Sequence, residues 1–161
     1  VVSGMKIRKA VSSDLRDITE LWKEMMDLHQ EQDRFFLLDE DGEAKKAYRK
    51  YAEENMGSEG KFFKVCLNDQ DEIIGYVFAE TFEYPPVYLV KRYIEINEMV
   101  VRKDQRRKGI GKIMLQDVLH WAKEKGITRI ECKVATANPI SQGFWHKNGF
   151  SAYVESQVLE I

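Results

Sequence analysis

The sequence predicts a single mixed α/β (α+β) domain, and three observations support this. The length of 161 residues fits one domain with one core. Hydrophobic residues make up 43% of the chain and charged residues 32%, a composition that excludes a disordered or collagen-like protein. Apolar residues recur with strand or helical spacing, in the order strand, two helices, three strands, helix, strand, helix and one or two final strands.

The first half of the chain is predicted to hold three strands and two helices. They are a strand over 5–10, a helix that begins after Ser12-Ser13-Asp14, a weaker helix over 39–55, and strands over 62–67 and 73–82. The first helix is indicated by a capping segment followed by apolar residues at helical spacing, namely Leu15, Ile18, Trp22 and Met25. Pro85 and Pro86 end the strand pattern, because proline is not tolerated in a central strand.

The second half is predicted to contain a strand over 93–101, a helix over 110–125, a strand over 128–135, a helix from Pro139 to Asn148 and one or two strands within 150–161. The helix over 110–125 has the clearest apolar face, and Lys125-Gly126 is a typical C-terminal stop. Asn138 is a suitable N-cap before Pro139 at the first helical position.

The chain shows neither a membrane span nor a secretory signal in its sequence pattern. No apolar run approaches the ~18 residues that a span requires, and no basic and apolar leader opens the chain. Cys66 and Cys132 are too few for a disulfide framework and lie in predicted strands. We therefore expect two buried free thiols in a cytoplasmic protein that begins at Met5, since residues 1–4 are typical of a cloning remnant.

Charge is distributed unevenly along the chain. Residues 12–60 hold 14 acidic and 7 basic side chains, whereas residues 102–147 hold 11 basic and 4 acidic ones. Such asymmetry indicates two ligands of opposite charge, or two ends of one site. Two solvated helical surfaces that differ in charge explain the same pattern.

The strand over 93–101 changes phase in its middle. Ile94 and Ile96 share one face, but Met99 and Val101 have the opposite parity. One extra residue near Asn97-Glu98 explains the slip, which predicts a β-bulge that opens the strand and exposes its backbone N–H and C=O groups. The bulge also brings Glu98 onto the face of Glu95. The alternative is that Asn97 and Glu98 lie exposed at a strand end.

A basic, glycine-containing segment from Gln105 to Lys112 lies between this strand and the strong helix. A strand–turn–helix junction predicts an anion site, because free N–H groups and the positive helix end point to the same place. A Walker loop would need glycine at Arg106 and serine or threonine at Ile113, and a dinucleotide fingerprint would need glycine at Met114. The segment therefore predicts phosphate binding of another kind.

Metal and covalent mechanisms have no support in the sequence. His29, His120 and His146 lack the spacing of metal ligands, and no Ser/His/Asp or Cys/His arrangement is evident. Phe144 and Trp145, taken alone, are more typical of a core than of a ligand site.

Two motifs together resemble the GNAT superfamily of acyl-CoA-dependent N-acetyltransferases. The first is Arg106-x-x-Gly109-x-Gly111 after a strand that ends in Glu98-Met99-Val100-Val101, and the second is Asn138…Ser141-x-x-Phe144-Trp145-x-x-x-Gly149-Phe150. The resemblance implies one N-acetyltransferase domain over 5–161. Its mixed, mostly antiparallel sheet would have a bulged central strand flanked by helices.

The resemblance also implies a binding site for acetyl-CoA as co-substrate, without a metal. The implied cofactor-binding residues are Met99, Val100 and Val101 for the pantetheine arm, Arg106, Arg107, Lys108, Gly109, Ile110, Gly111 and Lys112 for the pyrophosphate, and Asn138, Ser141 and Trp145 near the arm. Many family members carry a tyrosine at the position of Trp145 that protonates the departing thiolate. That role is not transferred to tryptophan, and Ser141 and Tyr153 stay open as substitute acids.

The expected function is acetyl transfer to a primary amine of a small molecule or peptide by direct attack. Glu98 or Glu95, directly or through water, is the candidate base, and the bulge amides are candidates for stabilising the oxyanion. The acceptor would enter across the first helices and the loop around Pro85-Pro86. A CoA-binding regulator without turnover and, less favoured, a nucleic-acid-binding module are the alternatives.

The acidic first part favours a cationic acceptor such as a polyamine, an aminoglycoside-like sugar, or a lysine or peptide N-terminus. Simple solvation of the helices explains those charges equally well. No nucleic-acid or membrane partner is expected, and a homodimer is in keeping with the resemblance, since family members are often dimers.

Overall fold

A computed structural model describes residues 4–39 and 41–161. The elements are β1 (Lys6–Lys9), α1 (Leu15–Gln32), α2 (Asp41–Asn55), β2 (Lys61–Leu67), β3 (Ile73–Glu83), β4 (Arg92–Val101), α3 (Ile110–Glu124), β5 (Ile130–Cys132) and α4 (Pro139–Lys147). Short 3-10 turns occupy Ser12–Asp14, Arg34–Phe36 and Lys103–Gln105. The expectation that the natural chain begins at Met5 concerns residues 1–4, of which 1–3 lie outside the described residues.

The five strands form one sheet in the order β1-β2-β3-β4-β5. The pairs from β1 to β4 are antiparallel, and β5 runs parallel to β4. This confirms the prediction of a mixed α/β fold with a mostly antiparallel sheet. β4 is the strand before the crossover through α3, because a parallel neighbour requires a long connection.

Each face of the sheet carries its own apolar core. Helices α3 and α4 cover one face, with Val77, Ile96, Met114, Val118 and Trp145 among the buried residues. Helices α1 and α2 cover the other, with Leu15, Ile18, Trp22, Tyr48 and Phe78. The predicted apolar stripes of α1 and α3 are thus the stripes that face the sheet.

The predicted final strands are wrong. The described structure has no strand after Cys132, and residues 151–161 are all exposed. Alternating apolar residues form a stable strand only where an edge pairs with them and a core buries one face, and the tail has neither. Tyr153 instead lies against the sheet edge, where its hydroxyl donates to Glu131 Oε2 at 2.8 Å and its ring contacts the Arg129 guanidinium.

The two cysteines are free thiols, as expected. Cys66 is buried, whereas Cys132 is only half-buried and corrects the expectation of complete burial. Burial raises the pKa of the Cys66 thiol to about 11. Burial and the charge of Glu95 raise the pKa of the Cys132 thiol to about 12. Among the described helices, none is both long enough and apolar enough to span a membrane.

Candidate active site

The predicted bulge lies in the middle of β4. Phe78 of β3 pairs with Glu98, but the next residue, Ala79, pairs with Ile96, so Asn97 is the extra residue. The pairing continues beyond Glu98 to Val101, which makes the strand-end alternative wrong. The bulge prediction is confirmed.

The bulge brings two carboxylates onto one face of the sheet, as predicted. Glu95 pairs with Glu80, and Glu98 pairs with Phe78, two residues away on β3. Because side chains alternate along a strand, Glu80 and Phe78 share a face, and so do their partners Glu95 and Glu98. Phe78 belongs to the core beneath α1 and α2, so both carboxylates face that side.

One edge of β4 opens beyond the bulge. β5 pairs with β4 only at Ile94, Glu95 and Ile96, so residues 97–101 have no strand partner on that side among the described residues. On their other side Met99, Val100 and Val101 pair with β3. The open edge leaves backbone groups available to an extended ligand.

The loop from Arg106 to Gly109 leads directly from β4 into α3. Arg107 and Gly109 both have left-handed backbone conformations, with φ of 65° and 83°, and Gly109 is the N-cap of α3. Within the described structure, no backbone N–H from Arg107 to Lys112 donates a hydrogen bond to the protein. Six consecutive free N–H groups at a helix N-terminus have the arrangement that is typical of anion sites, and we call this segment the anion cradle.

The basic side chains around the cradle play two different roles. Arg107, Lys108 and Lys112 are exposed and add mobile positive charge. Arg106 is bound within the protein, since its Nε donates to the Val101 carbonyl at 3.0 Å and its Nη2 to Glu24 Oε1 at 2.9 Å. Arg106 therefore ties the cradle to the end of β4 and to α1.

Glycine at position 111 allows a close contact between α3 and α4. A Cβ at Gly111 would lie 3.2 Å from Phe144 Cε2 and 3.3 Å from Cζ, closer than ordinary van der Waals contact. Gly111 thus lets the first turn of α3 approach α4, and it places the two motifs side by side.

Glu98 is held by two tyrosine hydroxyls. Tyr48 of α2 donates to Glu98 Oε2 at 2.5 Å, and Tyr76 of β3 donates to the same oxygen at 2.7 Å. Burial raises the pKa of Glu98, and the two hydrogen bonds oppose that rise. Glu98 Oε1 accepts no hydrogen bond from the described residues, so it has a free lone pair for a proton.

Glu95 has a different environment. Its Oε1 lies 3.0 Å from Lys133 Nζ, and this contact raises the pKa of Lys133. The carboxylate is thus engaged in an ion pair beside β5. Of the two predicted candidates, Glu98 lies at the bulge and is held by hydroxyls, whereas Glu95 is paired with a cation.

The residues of the second motif pack around the start of α4. Asn138 is buried and its Oδ1 accepts the Ser141 N–H at 3.0 Å, which confirms the predicted N-cap. Trp145 is buried and packs edge-on against Phe144 and Phe150, with centroid distances of 5.1 and 4.9 Å. Trp145 therefore belongs to the core, as its residue type indicates.

Sequence analysis missed the tyrosines around Glu98 and an aromatic pocket beside them. The pocket has a volume of about 450 Å³ and is lined by Trp22, Leu37, Leu38, Asp39, Ala44, Ala47, Tyr48 and Tyr51. Tyr48 and Tyr51 lie three residues apart on α2, a spacing that indicates a shared helical face. Only the pairing of distant elements brings this face to Glu98. In the described ranges, no cluster of three or more His, Cys, Asp or Glu side chains is arranged to hold a metal ion.

Comparison with known proteins identifies the family. The model of the acetyltransferase (GNAT) family matches residues 20–150, so the chain belongs to the GNAT family. The match includes the bulge, the anion cradle and α4, and it confirms the resemblance inferred from the two motifs.

One curated relative and two solved structures illustrate the similarity. The chain is 30% identical over 101 residues to the L-ornithine N5-acetyltransferase of Arabidopsis thaliana; the match covers 63% of this chain and 43%, less than half, of the relative. A protein of Clostridium acetobutylicum, described as a predicted acetyltransferase and solved with acetyl-CoA, has a TM-score of 0.77 at 20% identity and covers 97% of this chain and 96% of its own. The aminoglycoside antibiotic 6'-N-acetyltransferase of Acinetobacter baumannii has a TM-score of 0.75 at 19% identity and covers 98% of each chain. At these identities the two structures show the common fold.

Proposed function

We propose that this protein transfers an acetyl group from acetyl-CoA to a primary amine of a small cationic molecule. The observation that carries the proposal is the combination of an anion cradle, an open strand edge and a carboxylate with a free oxygen, all positioned by β4. Membership of the GNAT family supports the same activity.

The described residues support acetyl-CoA binding at the open edge of β4 beyond the bulge and at the cradle. The free N–H groups of residues 107–112 would hold the pyrophosphate, assisted by Arg107, Lys108 and Lys112. The open edge at 99–101 would bind the pantetheine arm through its backbone. Trp145 would form part of the wall near the sulfur, and Asn138 would hold the start of α4 in place.

Glu98 would remove the proton that blocks attack. A typical alkylammonium has a pKa near ~10, so the amine arrives protonated and must lose a proton before it can react. Glu98 Oε1 would accept this proton, because it is the oxygen that no described residue occupies. Glu95 is less suitable as the base, because Lys133 engages it.

Acetyl-CoA would supply the thioester: the neutral amine would form the new C–N bond, the C–S bond would break, and the CoA thiolate would leave. The second proton that the nitrogen loses on becoming an amide would pass to the thiolate or to solvent. Free N–H groups at the bulge would stabilise negative charge on the carbonyl oxygen. A thiol has a pKa near ~8.5, so its thiolate departs without a strong acid. Trp145 would therefore act through packing.

The aromatic pocket would receive the acceptor. Trp22, Tyr48 and Tyr51 line the pocket, Tyr51 has the exposed ring, and Asp39 adds a carboxylate. An aromatic ring beside a carboxylate favours a cation. Two of the similar proteins are named for L-ornithine and aminoglycosides, which are cationic amines. A lysine side chain or a peptide N-terminus has the same chemistry at its reactive end and belongs in the same test.

The test is a thiol-release assay with acetyl-CoA and a panel of amines. The panel contains ornithine, spermidine, an aminoglycoside, a lysine-containing peptide and a free peptide N-terminus. We expect turnover with at least one cationic small molecule and a loss of about 10²–10⁴-fold at neutral pH in Glu98→Gln. Glu95→Gln is the matched control, since it removes a carboxylate from the same face.

Two outcomes would contradict the proposal. Tight acetyl-CoA binding without turnover on any amine would favour a CoA-binding regulator. This alternative stays open because Trp145 replaces the tyrosine that protonates the thiolate in many family members. A failure to bind acetyl-CoA in calorimetry would contradict the assignment of the cradle itself.

A further inference from the structure

Three oxygen atoms form a closed triangle beneath α2. Tyr48 OH lies 2.5 Å and Tyr76 OH 2.7 Å from Glu98 Oε2, and the two hydroxyl oxygens are 3.0 Å apart. Each tyrosine has one hydroxyl proton. When Glu98 is ionised, both protons therefore point to Oε2, and the two hydroxyls cannot also donate to each other.

The two tyrosines are themselves firmly placed. Tyr76 is fully buried in β3. The Tyr48 ring stacks on Trp22 of α1 with a centroid distance of 4.3 Å and an interplanar angle of 6°. The orientation of the Glu98 carboxylate is thus set by β3, α1 and α2 together.

We propose that Tyr48 and Tyr76 are positioning residues for the acetyl transfer, which hold Glu98 by Oε2 so that Oε1 is the atom that accepts the proton of the amine. The inference rests on the proposed function. It adds that Tyr48 serves two purposes, because the same side chain lines the aromatic pocket. An acceptor in that pocket would lie against the residue that orients its base.

The surrounding charges make the two hydroxyls the main support of the Glu98 anion. Tyr51 of α2, Glu80 of β3 and Glu95 of β4 are further titratable groups on this side of the sheet, and Glu95 is paired with Lys133. Burial, and then the charges of Glu98 and Glu80, raise the pKa of Tyr51. Glu80 is engaged by Lys61 and Asn97. Among the described residues, no lysine or arginine forms a salt bridge with Glu98.

The first experiment follows the titration of Glu98 itself and needs no acceptor. Carboxyl ¹³C NMR of the free protein is recorded over pH, and the Glu98 signal is assigned by its absence in Glu98→Gln. We expect Tyr48→Phe and Tyr76→Phe each to raise the midpoint by about one to two pH units, because each removes one hydrogen bond to the anion. Tyr153→Phe is the matched control for this titration, since its hydroxyl donates to a different carboxylate, Glu131.

The second experiment links the titration to the reaction. The acid limb of the kcat/KM profile, where activity is lost as Glu98 becomes protonated, should move to higher pH by the same amount as the NMR midpoint in each variant. The KM for acetyl-CoA should stay unchanged, because neither tyrosine belongs to the cradle or to the open edge. A merely structural role would lower the activity without displacing the profile.

The outcomes separate this inference from the proposed function. An unchanged Glu98 midpoint in both variants would overturn the positioning role, whatever their activity. A shifted midpoint with an unchanged kcat/KM profile would also overturn it, because Glu98 would then not be the base. Absence of turnover in the unaltered protein would refute the proposed function instead, and the titration would show whether the tyrosine contact is nevertheless present. If Tyr76→Phe does not fold, Tyr48→Phe decides the question alone.

Discussion

Arg106 and Arg107 are neighbours in the sequence, but the structure predicts different effects when each is replaced by alanine: a loss of stability for Arg106 and a loss of CoA affinity for Arg107. Arg106→Ala removes a hydrogen bond to the Val101 carbonyl and an ion pair with Glu24. The pair is about one-third exposed on both sides, 37% and 33%, so its contribution is discounted for solvent. Together the two contacts contribute about 1–2 kcal/mol to the free energy of unfolding, which corresponds to a fall in Tm of about 2–8 °C for a domain of this size.

Arg107→Ala should leave stability nearly unchanged. The Arg107 side chain is exposed, and alanine meets the same backbone cost as arginine at a φ of 65°. The loss should appear in the affinity for CoA, at about tenfold or about 1.4 kcal/mol, because one charged partner of the phosphates is removed. This loss should shrink as the salt concentration rises.

The assays are thermal unfolding without ligand and calorimetric titration with CoA. Arg49→Ala is the control, because it removes an exposed positive charge from α2, away from the cradle. A large loss of CoA affinity in Arg106→Ala with an unchanged Tm would refute the reasoning. So would an Arg107→Ala variant that binds CoA as the parent does.

Three further predictions concern the core and pH. Trp145→Phe should retain most of the turnover, whereas Trp145→Ala should lose about 3–5 kcal/mol of stability and bind CoA more weakly. A fall in kcat beyond about a hundredfold in Trp145→Phe, with an unchanged affinity for CoA, would contradict a packing role. Burial raises the pKa of Glu98, so the contribution of this carboxyl to the free energy of unfolding is complete below the unfolded pKa of about 4.3 and is lost as pH rises through the folded pKa. Denaturant unfolding should therefore show that Glu98→Gln becomes more stable relative to the parent from pH 4 to pH 7. A stability difference that stays constant with pH would refute this. Two hydrogen bonds from Arg8, at 2.6 and 2.9 Å, lower the pKa of Asp14. Their stabilisation is therefore present above the unfolded pKa of about 3.9 and is lost as pH falls through the folded pKa. In the same unfolding experiment, Asp14→Asn should lower the free energy of unfolding by about 1–2 kcal/mol at pH 7 and by progressively less towards pH 2.

Most elements could be predicted from the sequence because their signals are local. The stripe of α3, the cap at Asn138 and the phase slip at Asn97 each involve residues within one or two turns of chain. The free N–H groups of the cradle follow from the same kind of signal, a glycine-containing turn into a helix. The tail over 150–161 shows where this reasoning fails: alternation is visible in the sequence, but a strand also requires an edge to pair with.

The sequence by itself determined the order of the elements as far as α4, the bulge, the cradle and the pair of carboxylates on one face. Only the tertiary structure decided that tyrosine hydroxyls hold Glu98 while a lysine pairs with Glu95, since Tyr48 and Glu98 are 50 residues apart in the chain and meet across α2 and β4. It likewise decided that Arg106 binds the protein while Arg107 stays exposed, because Glu24 reaches the cradle from another helix. The physical reason is that backbone conformation depends on neighbours in sequence, whereas the burial and pairing of a charge depend on neighbours in space.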